Sequence, residues 1–257
     1  MDWGTLISST LQLYQQAAKE TWEKGRRSWW VGFLPFLYGP IFFLCATFTA
    51  SLGLIGGLIT GLVLAMCASS YLYFIEGVIN GNRMHPSELV ESWRPHFSSV
   101  INILFFFFIV QYALALLTPA GDETALILAS LIELILLIIL NPIPEIIYQG
   151  RSEGFSMLQE SVDFLRSSGV EWFLPFIALA LVSAVILPLP LLEGPLQFGR
   201  LTFPTTGGGI PQGSFSGLLW SMVSAFLLFA IMIFRGLLFR ALSGTTRRQR
   251  IFRSRLS

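Results

Sequence analysis

Four charged side chains lie inside or at the edge of long apolar runs: Glu76, Glu133, Glu145 and Arg235. An ionised carboxylate in hydrocarbon costs several kcal/mol or more, so such a residue marks a candidate functional site. Glu133, near the middle of its run, has two readings: a carboxyl that serves a substrate or a proton, or a protonated, hydrogen-bonded structural carboxyl facing the bundle. Glu76 and Glu145 stand at the ends of their runs. Phe234-Arg235-Gly236-Leu237 repeats the pattern of Ile75-Glu76-Gly77-Val78 with arginine in place of glutamate. If these ends converge, two carboxylates and one guanidinium form an ion-pair cluster that closes the cytoplasmic end of a bundle. The alternative is three side chains that reach the interface separately.

No other chemistry is spelled out. The sequence contains no HExxH, CxxC, GxSxG or phosphate-loop pattern and no His/Cys set with metal-ligand spacing. Its two histidines, His85 and His96, lie eleven apart in one linker and lack the i, i+4 spacing of a ligand pair, so both read as interfacial. Cys45 and Cys67 fall inside apolar runs and read as small core residues rather than a disulfide or a metal site. Without a nucleophile–base pair or a ligand set, the expectation is a non-enzymatic protein with no cofactor.

The elements that hold these residues are set by composition. Of 257 residues, 54% are hydrophobic and only 12% charged, against about 25% charged in soluble domains. Residues 28 to 75 carry no charge at all. As one helix this stretch would run roughly 70 Å, against a hydrocarbon core of about 30 Å, so it must fold into two passes. The pattern predicts six spans near 29–49, 54–77, 99–118, 124–147, 171–192 and 217–239. On that layout 15 of the 16 Lys and Arg lie on one side, Arg200 being the exception. The basic bias places both termini and the polar linkers in the cytoplasm of a protein of the cell (inner) membrane. The first 28 residues hold no apolar run of the kind a cleaved leader needs.

The chain also repeats. A shift of 69 residues (145 − 76) aligns Glu76 with Glu145, Gly81 with Gly150, and Ser87, Leu89, Glu91, Ser92, Ser98 and Ser99 with their counterparts from Ser156 to Ser168. A fainter copy aligns Glu20, Arg26 and Ser28 with Glu160, Arg166 and Ser168, and Phe33-Leu34-Pro35-Phe36 with Phe173-Leu174-Pro175-Phe176. A period of this size marks a repeated supersecondary unit. The expected fold is an all-α integral membrane domain of three hairpins, each preceded by a cytoplasmic amphipathic helix. Copies run 5–79, 80–148 and 149–243, with a basic tail over 244–257.

Within this frame, Ile7, Leu11, Tyr14, Ala18 and Trp22 form one helical face of an N-terminal interfacial helix, which either docks a partner or orients the first span. The modules Pro86–Phe97 and Phe155–Arg166 read as short amphipathic helices, with Glu88, Glu91, Glu160 and Asp163 on a solvated face. Gly53, Gly57, Gly61, Ala65 and Ser69 form a small-residue ridge for close packing against another span or a second subunit. Asn141-Pro142-Ile143-Pro144 should break the fourth span and free carbonyls. A long Gly- and Pro-rich outer loop, 191–216, separates the last two spans. Arg247, Arg248, Arg250, Arg253 and Arg255 in the tail suit anionic lipid of the cytoplasmic leaflet, and no nucleic acid.

The copied segments Leu89-Val90-Glu91-Ser92-Trp93 and Leu158-Gln159-Glu160-Ser161-Val162, followed by Ser98-Ser99 and Gly169 to Phe176, carry a resemblance. They resemble bacterial polytopic membrane families of uncharacterised function, such as the membrane domain fused to some glycerophosphodiester phosphodiesterases. That resemblance implies a multi-span membrane domain and brings no catalytic residues. Two roles follow as expectations: a scaffold or assembly subunit that docks other subunits, a second copy or lipid through its amphipathic helices, or a transport subunit. For the latter, the interfacial helix, six spans and long outer loop resemble the permease half of an ABC-2 type exporter.

Overall fold

The computed structural model describes residues 3–117, 123–150, 152–186 and 215–244, and among these all regular structure is helical. In chain order the helices are α1 (Trp3–Arg27), α2 (Leu34–Thr49), α3 (Gly53–Ile79), α4 (Arg94–Leu117), α5 (Glu123–Leu140), α6 (Ile143–Tyr148), α7 (Ser156–Ile186) and α8 (Phe215–Ser243). Long apolar runs adopt helices because hydrocarbon offers backbone N–H and C=O groups no partner outside their own segment. Five described stretches are long and apolar enough to cross a membrane: Trp29–Leu52, Ile55–Ile79, Arg94–Leu116, Thr124–Tyr148 and Ala225–Ser243. The chain is thus a multi-pass membrane protein. The expected fifth span coincides with α7 as far as Ile186, and its remaining residues lie outside the described ones. So do residues 191–214 of the outer loop expected over 191–216, whose Phe215 and Ser216 open α8, and the five tail arginines.

One end of the bundle is packed and the other is open. All of α6 and most of the closing turns of α3 and of the last two-thirds of α8 are buried, with Phe74, Ile75, Ile146, Met232 and Leu238 at 0% exposure. There α3, α6 and α8 touch one another. Toward the other end, Leu58 of α3, Phe105 and Leu116 of α4 and Ile127 of α5 are exposed, as suits lipid-facing side chains. We call the packed end the polar end, because it carries the charged linkers.

Among the helix joints around this centre, α3 packs on α4, α6 on α7, and α8 on α1. Near two of these joints an aligned serine bonds to a group 22 residues earlier, in one case a hydroxyl and in the other a backbone carbonyl of α5. Ser92 Oγ lies 2.5 Å from Ser70 Oγ, and Ser161 Oγ donates to the Ile139 carbonyl, again 22 residues earlier. At the third joint Gly25 of α1 faces Phe229 and Ile233 of α8. The linkers also turn alike: Gly81 (φ 82°) and Gly150 (φ 64°) adopt the left-handed conformation that glycine takes without strain.

Several expected boundaries shift. Pro86–Phe97 is not one amphipathic helix. Pro86–Val90 is a 3-10 turn, and α4 starts at Arg94. Glu88 is not merely solvated there: it accepts from the His85 backbone N–H at 2.8 Å and from the Tyr73 hydroxyl at 2.9 Å. Phe155–Arg166 likewise is no separate module, because from Ser156 it runs without a break into α7, whose Pro175 lies inside the helix. Glu160 in it accepts from Ser152 Oγ at 2.5 Å. The small-residue ridge divides. Ala65 and Ser69 are buried, whereas a Cβ at Gly53, Gly57 or Gly61 would meet nothing within 4 Å. Among the described residues, it is the polar-end half of the ridge that serves packing within the chain.

Candidate functional site

The polar centre is built around a broken helix. Pro142 and Pro144 have no N–H, so the carbonyls four residues earlier, Ile138 and Leu140, lose their helical donors. α5 stops at Leu140, and a new short helix, α6, starts at Ile143. Of the two freed carbonyls, that of Ile138 accepts from the Asn141 backbone N–H at 3.3 Å, and side chains serve the neighbouring Ile139 and Asn141 carbonyls. Ser161 of α7 donates to the Ile139 carbonyl. Arg235 Nη2 donates to the Asn141 carbonyl.

Arg235, at 1% exposure, also meets Glu145, at 0%. Nε donates to Glu145 Oε1 at 2.6 Å and Nη2 to Oε2 at 2.8 Å, a two-pronged pair between α8 and α6. Such a fork fixes geometry as well as charge. The guanidinium carbon lies 5.1 Å from the ring centre of Trp172 and 5.5 Å from that of Phe176, both on α7. Trp172 Nε1 in turn donates to Asn141 Oδ1 at 2.8 Å. Gln149 Nε2 reaches the Gly236 carbonyl at 3.1 Å. Three helices are thereby locked to one cation. Taking two charges out of water is costly, and only this density of partners makes the burial tolerable.

The remaining sequence candidates separate. Glu76, aligned with Glu145 in the sequence, does not join the pair as the cluster reading required. It stands at the polar end of α3 with Oε2 3.0 Å from His96 Nε2 on α4, both side chains partly exposed. The converging ends thus yield one ion pair and, apart from it, a His96–Glu76 contact. α6 has displaced the Glu76 position from the centre, which Ile79 and Tyr148 occupy against Gly236. Glu133, half-buried on α5, lies on the other side of the break, in a different helix from Glu145. Among the described residues no group of three or more His, Cys, Asp or Glu could hold a metal ion.

Sequence reasoning missed Asn141 as an acceptor, Trp172 as the lid on Arg235 and His96 as the partner of Glu76. Trp172 carried a readable signal, since it directly follows a charged residue at the start of a span. His96 carried none, because its aligned position in the next copy is Leu165.

Two further links, one buried and one partly buried, tie α2 and α1 to α3. Tyr38 Oη lies 2.6 Å from Ser70 Oγ, which continues to Ser92. Lys24 Nζ of α1 donates to the Ile79 carbonyl at 2.6 Å, where α3 ends. Comparison of the chain with protein-family models, curated proteins and solved structures finds no match.

Proposed function

We propose that the chain is a non-enzymatic scaffold or assembly subunit of a membrane complex. In this reading three hairpin blocks, six spans in all, form a closed ring in the bilayer, with the polar end and both termini in the cytoplasm. The observation that carries it is the fate of the buried charges. Arg235 and Glu145 sit at 1% and 0% exposure with each other, a backbone carbonyl and two aromatic rings as neighbours. A group held so tightly and so far from water acts as a clamp rather than as a proton carrier or substrate ligand. The aligned Gly81 and Gly150 turns and the two serine joints support the repeat. With the centre closed, the outward surfaces of the polar end are what the fold offers to others.

Purification of the full chain from native membranes, with identification of its companions, tests the role. A stable complex without an ATPase is the expected result. A stoichiometric ATPase would replace the scaffold with the exporter permease. Accessibility of single cysteines at positions 90 and 160 tests the sidedness: both should label from the cytoplasm, and labelling only from outside would overturn the layout.

A further inference from the structure

Helix α1 has three faces, and the apolar stripe read from the sequence is not the one that packs. At about 100° per residue, Leu13, Ala17, Thr21 and Lys24 fall on one side. Ala17 is 5% exposed, Leu13 packs on the core and Lys24 reaches the Ile79 carbonyl. The stripe of Leu11, Ala18 and Trp22 is turned about a third of the circumference away from that side. It is exposed, with Leu11 at 53% and Trp22 at 73%. Tyr14 lies on the boundary and donates to the Glu171 carbonyl at 2.6 Å. Continuing round the helix past the stripe come Arg26 and Lys19, both exposed, and beyond them exposed Glu23 and Arg27 and half-buried Glu20. Just past the end of α1 stands Trp29, at 58% exposure.

We infer that this outward side of α1 is a docking surface for an anionic phospholipid leaflet. The order around the helix is the argument. The apolar strip reaches toward acyl chains, Trp22 and Trp29 suit the headgroup boundary, and Arg26 and Lys19 meet the headgroup charge directly beside it. The acidic side chains stand farther from the strip than these two cations. A protein partner would need no such sequence of apolar, aromatic, cationic and then acidic positions. The inference rests on the proposed placement of the polar end at a membrane surface, and it adds the leaflet chemistry that α1 selects.

The test uses the full chain with a fluorescent amino acid incorporated at position 18, which leaves both native cysteines in place. It is reconstituted in phosphatidylcholine vesicles doped with doxyl-labelled phosphatidylglycerol or doxyl-labelled phosphatidylcholine. At low salt the anionic quencher should reach half-quenching at about a thirtyfold lower concentration than the zwitterionic one, as two basic side chains beside the site would give. The exposed-residue variant Lys19→Gln/Arg26→Gln should bring the two quenchers to parity. A reporter at position 131, on the exposed side of α5, should show parity throughout. Equal quenching at position 18 in the unsubstituted chain would overturn the inference by reducing the face to a simple apolar anchor. No quenching by either lipid would overturn it in favour of water or a protein partner. The measurement reads the lipid around α1 whatever copurifies and whichever side of the membrane it faces. It can therefore fail while the scaffold reading stands, and the reverse.

Discussion

Glu76 and Glu145 occupy the same position in two aligned stretches of sequence, and they meet opposite fates. Glu145 is sealed under α7 and forked by Arg235, whereas Glu76 stays partly exposed beside His96. The carboxylates are identical, so the difference lies in what surrounds them. After Glu76's helix the chain turns at Gly81 with α3 unbroken. Before Glu145 two prolines cut the helix, and the resulting stub α6 is buried on every residue. A carboxylate carried into a core needs a fixed cation, and a carboxylate left at the rim does not. One repeat position thus becomes a clamp or a rim contact according to the backbone that presents it.

The largest expected effect breaks the clamp. Arg235→Met leaves Glu145 buried without its partner and should lower stability by about 3–5 kcal/mol, read as a fall in melting temperature in detergent. Arg235→Met/Glu145→Met should recover most of that loss, since a well-packed apolar pair avoids the desolvation cost. If the double variant is as unstable as the single one, burial of charge is not what distinguishes the two sites. Gly236→Ala comes next. Its Cβ would collide with Ile79 Cδ1 and Tyr148 Oη at the centre, an overpacking worth up to about 3 kcal/mol. The same change at Gly57, where a Cβ meets nothing, should leave monomer stability unchanged. Trp172→Phe keeps a ring over Arg235 but strands Asn141 Oδ1, costing about 1–2 kcal/mol by the same melting assay. The smallest effect belongs to the rim: Glu76→Gln should cost less than about 1 kcal/mol, as exposed pairs do. A loss as large as that of Arg235→Met would erase the contrast.

Much of this was legible in the residues. A charge-free run from 28 to 75 has no soluble solution, so membrane helices follow from composition. The proline pair announced the break, and the match of Phe234-Arg235-Gly236-Leu237 to Ile75-Glu76-Gly77-Val78 brought Arg235 and Glu145 to one place. What the sequence could not settle was which carboxylate the arginine would choose. That depends on how α6 folds under α7, a contact between segments 90 residues apart. The stripe on α1 failed as a guide to packing for a related reason. Periodicity finds the apolar face of a helix, but a helix lying between protein, lipid and water has two low-polarity faces, and Ala17 and Thr21 are too modest to mark the second. The ridge failed halfway because small residues permit close approach without specifying that anything arrives.

The 90-residue separation of Glu145 and Arg235 has a consequence for how the chain is made. At about 5–20 residues per second, translation delivers the carboxylate roughly 5–20 s before its guanidinium. In that interval the unclamped stub has no cation of its own, and hydrocarbon would demand several kcal/mol for an ionised form. Glu145 therefore waits at the water boundary, and closure of the centre waits for α8. A chain halted before Arg235 would hold every earlier segment and still lack the bolt that fastens them.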